Sequence, residues 1–210
     1  MAMDRFLESC CTSVEQAVYA QAHGARRIEL CEDLPVGGVT PSRELTEAVI
    51  AAVDIPVNVL VRPRGGDFCF SEAEVEQMLE SIRFCGSCGV NAVVIGALDA
   101  DGNIDIPAME RMIAQARECG LGVTFHRAFD VCADPLAAFE QIMALGCDRL
   151  LTSGHEADAY AGRFLIAELV RRAAGRIVVM AGCGVRQGNI DAIARDSSAP
   201  EYHASASFWK

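Results

Sequence analysis

The chain lacks any excess of positive charge: 18 lysines and arginines stand against 29 aspartates and glutamates, a formal net charge of -11. Phosphate backbones and anionic membrane surfaces are held by clustered basic side chains, so this balance argues against nonspecific nucleic-acid or membrane binding. A local basic pocket is still compatible with it. No apolar run reaches the roughly 18 residues that a bilayer crossing needs. The opening MAMDRFLES has neither a basic n-region nor an apolar h-region, and a cytoplasmic protein is expected. Also missing are a Ser/Gly-rich linker, a low-complexity block and a dinucleotide fingerprint after the first strand-like run. With 210 residues and 51% hydrophobic composition, one domain spanning 1–210 is the expectation.

Ten cysteines are present, but a chain with this much apolar material needs no disulfide framework, so reduced thiols are expected. Cys85 and Cys88 form CGSC at the end of an amphipathic stretch. No second CxxC or His pair at zinc-finger spacing accompanies them, and packing is the expected role.

Eight short apolar or β-branched runs recur along the chain: FLESC, RIELC, VNVLVRP, AVVIGA, GVTFHRAF, RLLTSG, RIVVMAG and EYHASA. Amphipathic helical patterns lie between them, at Ser42 to Val53, Glu72 to Gly86, Ile106 to Glu118 and Pro135 to Leu145. Alternation of strand and helix predicts parallel pairing, and eight units predict a closed (β/α)₈ TIM barrel. The eighth run is followed only by SFWK, so the last helix is missing from this chain. The uncovered flank predicts a homo-oligomer, most simply a dimer, unless Phe208 and Trp209 close the gap.

In such barrels the functional groups gather at the C-terminal ends of the strands. The third run ends in RPRGGD, where Arg62 and Arg64 share a face and are candidate anion clamps, with Asp67 close by. Glu8 with Cys10, and Glu29 with Cys31, share faces of adjacent strands by the period of two. Buried carboxylates need cationic or hydrogen-bonding partners. Glu8, Glu29, Arg62 and His126 are therefore expected to form a polar cluster. His126 is the candidate acid or base, with Glu8 or Glu29 as its carboxylate partner and Arg127 and Asp130 nearby. His203 ends the eighth run. Ser153 and Gly154 in LTSG, with Gly182 and Gly184 in AGCGV, are candidates for binding an anion through backbone N–H groups. A small anionic or phosphorylated ligand fits these residues.

Cys10 and Cys31 sit two residues after a glutamate on neighbouring strands, about 4.8 Å apart in a parallel sheet. Two thiolates at similar height suit a soft ion such as Cu(I), and two buried thiols that bind nothing remain the alternative. Cys11 points to the opposite face and is expected to pack.

Together the early E-x-C, GARRIELCEDLPVGGVTPS, IPVNVLVRPRGGDFCFSEAE, VTFHRAFD, DRLLTSG and YHASAS resemble the CutC copper homeostasis family over nearly the whole chain. The resemblance implies a (β/α)₈ barrel, a cytoplasmic location, oligomerisation and copper ligation at Cys10 and Cys31. It departs from the family pattern at Gly182-Cys183-Gly184, where GGG is common, and after the eighth strand, where many members continue. Two functions follow: a copper homeostasis protein holding Cu(I), or a barrel enzyme acting on a small anionic substrate at the mouth.

Overall fold

Alternate residues of each strand serve different cores. On β2 (Arg27–Leu30), Ile28 and Leu30 join the apolar layer between sheet and helices, whereas Arg27 and Glu29 lie on the barrel side. On β1 (Phe6–Cys11), Cys11 packs outward into the same layer while Glu8 and Cys10 face the interior. Both faces are buried, as parallel sheets require, because helices return across the outside.

A computed structural model describes residues 5–209. The remaining strands are β3 (Val57–Leu60), β4 (Ala92–Ile95), β5 (Gly122–Phe125), β6 (Arg149–Thr152), β7 (Val178–Ala181) and β8 (Glu201–Ser205). They pair in sequence order, all parallel, and β8 closes on β1. The helices are α1 (Val14–Ala22), α2 (Arg43–Ala52), α3 (Glu72–Ser87), α4 (Ile106–Glu118), α5 (Pro135–Ala144), α6 (Arg163–Ala173) and α7 (Ile190–Ser197). The architecture is the expected TIM barrel. After β8 the described chain forms only a 3₁₀ turn, Ala206–Trp209. Trp209 donates to Ser9 Oγ at 3.0 Å, and its carbonyl accepts the Tyr19 hydroxyl at 3.2 Å, so the turn packs where an eighth helix would lie.

Local chemistry sets the helix starts. Ser71 caps α3 through a capping box with Glu74, and the same Glu74 carboxylate holds Arg64 Nε at 2.5 Å. The RPRGGD segment is thereby tied to the beginning of α3. Cys85 is buried inside α3, and Cys88 only ends it, consistent with packing.

Cys183, in the loop after β7, has φ 74. A side chain in this left-handed region costs roughly 1–2 kcal/mol, a cost that glycine avoids. The Cys183 thiol recovers part of it by donating to the Ala157 carbonyl at 3.4 Å. Cys183→Gly is expected to raise unfolding stability by up to about 1 kcal/mol, read from urea midpoints. A lower midpoint would show that the thiol contact outweighs the backbone strain.

Candidate functional site

Barrels of this class fill their interiors mainly with branched apolar side chains. This one is different, because charged residues cross its axis. Arg27 binds the Glu8 carboxylate through Nε and donates to Glu201 Oε2 at 2.5 Å through Nη2. Arg149 Nε donates to the same Glu201 oxygen at 2.7 Å. Asn58 adds a bond to Glu8 at 3.2 Å, and Asn91 donates to Asn58 at 2.9 Å. Above this layer, His203 Nδ1 lies 2.8 Å from Glu8 and Nε2 lies 3.4 Å from Glu29. Three carboxylates, Glu8, Glu29 and Glu201, thus face Arg27, Arg149 and His203.

This pairing sets the charges. Burial opposes ionisation of Glu8, but His203 and Arg27 outweigh it and pull its pKa down to about 2. Burial likewise opposes the His203 imidazolium, yet the Glu29 and Glu8 carboxylates hold its pKa up at about 9. Burial, with the Glu8 charge, pushes Glu29 above its ordinary value, against the pull of His203.

Cys10 and Cys31 meet above the ion layer, their sulfurs 3.6 Å apart. The contact with Cys31, burial and the nearby Glu29 charge push the Cys10 thiol well above its usual range. Ligand atoms of Cys10, Glu29 and His203 all lie within 4.8 Å of one another. Leu60 and Val94 complete the small apolar cluster around the two sulfurs.

The cysteines line a cavity of about 720 Å³ at the C-terminal mouth of the barrel, and Arg62, Phe68, His126 and Arg127 form another part of its wall. Arg62 donates to the carbonyls of Val36 at 3.2 Å, Gly38 at 3.1 Å and Gly66 at 2.7 Å. His126 Nδ1 accepts the Ala128 N–H at 3.2 Å. Gly96 leaves room for this ring: a Cβ there would sit 2.6 Å from His126 Nδ1.

A profile of the CutC family matches residues 5–208. The chain belongs to the CutC family. A CutC family protein from Parabacteroides distasonis is 52% identical over 205 residues, covering 97% of this chain and 84% of that one. Another, from Bacteroides fragilis strain ATCC 25285, is 48% identical over 200 residues, covering 95% and 79%. The solved CutC protein from Streptococcus agalactiae superposes with a TM-score of 0.90 at 30% identity, covering 96% of this chain and 98% of that one.

In this CutC chain the sequence candidates separate into distinct groups. Glu8, Glu29, Cys10, Cys31 and His203 come together. Among the described residues no ion pair or hydrogen bond joins Arg62 or His126 to Glu8 or Glu29, although Glu29 lines the same cavity; His203 takes the carboxylates expected for His126. Arg64 turns away from the cavity: it pairs with Asp67 at 2.9 Å and with Glu74, and Asp67 is largely exposed. The β6 loop already holds an anion of its own. Asp130 accepts the Ser153 N–H at 3.0 Å, the Thr152 hydroxyl at 2.5 Å and the His155 N–H at 3.3 Å, while Gly154 N–H donates to Thr152. Arg127 Nε pairs with the same Asp130 at 2.8 Å. Gly182 N–H is spent on the Thr152 carbonyl, and Gly184 lines the cavity.

Arg27, Arg149 and Glu201 were not among the candidates. They lie at the starts of β2, β6 and β8, away from the end where function is sought. Arg27 carried a usable signal, standing two residues before Glu29 and therefore on the same face.

The pKa shifts give a stability profile. For His203, raised to about 9 from an unfolded value of about 6.5, the contribution is fully present below about pH 6.5 and is lost as pH rises through 9. For His126, burial and the Arg62 charge lower the pKa to about 3. Its contribution is present above about pH 6.5 and is lost as pH falls toward 3, and Glu8 adds a loss as pH falls through about 2. Stability should therefore peak near pH 6.5. Urea midpoints measured on both sides of that pH test this, with His203→Gln expected to flatten the alkaline limb. Midpoints that stay level up to about pH 10 in the wild type would contradict the buried imidazolium.

Proposed function

We propose that this CutC-family chain binds one Cu(I) through Cys10 and Cys31, in a cytoplasmic copper homeostasis role. The observation that carries the reading is the pair of sulfurs 3.6 Å apart in the wall of an open cavity. Thiolates are soft donors and select Cu(I) over hard cations, so the chemistry of the pair fits the ion. Two thiolates around a monovalent ion leave one net negative charge, and burying it needs a counter-charge. His203 supplies one: its imidazolium is held beside Glu29, and the Cys31 charge is among the influences that raise its pKa. With both ring nitrogens facing carboxylates, His203 compensates charge rather than ligating. Glu29, its own pKa raised, is placed to receive a proton leaving Cys10.

The ten cysteines are free, which suits the reducing compartment that this role requires. No described helix is long and apolar enough to cross a membrane. A homodimer across the side that carries the Ala206–Trp209 turn also belongs to this reading. Tyr19 stays exposed on α1 there, its hydroxyl bonded to the Trp209 carbonyl, and Val18 next to it in sequence is also exposed. Sedimentation equilibrium should give a dimer that Val18→Glu weakens at least tenfold; a wild-type monomer would remove the dimer without touching the copper site.

Copper binding is tested by anaerobic Cu(I) competition titration of the reduced protein against a folded Cys10→Ser, Cys31→Ser variant. One tight equivalent should be lost in the variant. With the Cys10 proton retained on Glu29, one proton is released to solvent, and wild-type binding should strengthen about tenfold per pH unit over the range where the thiols are protonated. Equal weak binding by both proteins would defeat the reading.

A further inference from the structure

Buried donors in folded proteins are nearly always paired, and each exception calls for a ligand, an ion or a water. Two side-chain donors in the cavity wall are such exceptions. Arg62 Nε and His126 Nε2 are buried and have no hydrogen-bond partner among the described residues. Because His126 Nδ1 accepts the Ala128 N–H and the ring is neutral, its single proton sits on Nε2. That nitrogen can only donate. Arg62 is buried with its remaining guanidinium nitrogens on backbone carbonyls, and no carboxylate pairs with it among the described residues. Its charge is therefore uncompensated in a place where a buried cation is costly.

The surroundings indicate what kind of anion would fit. The Phe68 ring packs against both groups, 4.5 Å from the Arg62 guanidinium and 5.0 Å from the His126 ring centre. Leu34, Val36 and Val131 line the same cavity and are 45%, 43% and 63% exposed, an apolar rim with nothing covering it. Inorganic phosphate alone would leave that rim in water.

We propose that Arg62 Nε–H and His126 Nε2–H bind the oxyanion of a small amphiphilic acid, a carboxylate or a phosphate ester, whose apolar part packs against Leu34, Val36 and Val131. Charge-assisted hydrogen bonds to an oxyanion satisfy both donors and neutralise the arginine at once. Phe68 is the neighbour common to both donors, and binding requires its ring to move off them. The donors come from the ends of β3 and β5, so the site opens on the same cavity as Cys10 and Cys31 but shares no residue with them.

The test titrates the wild-type chain calorimetrically with phenyl phosphate, with phenylacetate and with benzyl alcohol as a neutral control. Imidazole ¹⁵N spectra are recorded alongside. One saturable equivalent is expected for at least one anion and none for the alcohol, and the anion that binds separates ester from carboxylate. The His126 Nε2 resonance should shift while its proton is retained. Arg62→Lys keeps the charge but removes the Nε–H, and His126→Asn keeps an acceptor for Ala128 N–H; each should weaken binding tenfold or more. Absence of saturation by both anions, equal binding of benzyl alcohol, or affinity unchanged in both variants overturns the proposal. Should either variant misfold, an unmoved His126 resonance in the wild type overturns it as well. The Cys10→Ser, Cys31→Ser variant should bind the anion normally, so this site and the copper site fail separately.

Discussion

Glu8 is the point at which the barrel's charges are tied together. It sits on β1 and binds Arg27 on β2, Asn58 on β3 and His203 on β8, while Arg27 extends the contact through Glu201 to Arg149 on β6. Taking such groups out of water is expensive, and the cost is offset only where every charge has a counter-charge. Here the three carboxylates meet three cations. Loss of one partner from a buried pair typically costs about 3–5 kcal/mol, because the other is left uncompensated. The network also determines which groups are charged higher in the cavity: the ionised Glu8 helps keep His203 protonated, and His203 in turn restrains Glu29.

The barrel was legible because its signal is repeated: each apolar run is short, and the helical patterns between them begin near the observed N-caps, as with Ser42 and Ser71. The pairing of Glu8 with Cys10 and of Glu29 with Cys31 followed from strand alternation alone. What alternation cannot supply is which strands' side chains meet across the barrel. For this reason His126 was expected with the carboxylates that His203 takes, since residues at similar heights on different strands look equivalent in one dimension. Arg64 misled for a related reason. It shares a face with Arg62 by period, but β3 ends at Leu60, and beyond it the loop follows Glu74 and the capping of α3 rather than the strand. The LTSG loop was a candidate for a ligand anion, but its Ser153 and His155 N–H groups are taken by the chain's own Asp130.

The two parts of the cavity wall differ in chemistry. One has the Cys10 thiol and the Glu29 carboxylate, both with raised pKa values, beside an imidazolium, groups suited to exchanging protons for a soft cation. The other has donors without acceptors and a buried, unpaired guanidinium. A single occupant would not satisfy both. In the proposed reading this division gives the buried arginine a role that Cu(I) itself does not supply.

The ion layer has a topological consequence as well. Glu8, Arg27 and Glu201 are buried across the barrel beneath Cys10 and Cys31, so the cavity is a cul-de-sac rather than a conduit. Whatever enters at the strand ends departs by the same doorway. Any molecule that takes a ligand from this cavity would therefore have to approach at the entrance, from the side of the strand ends.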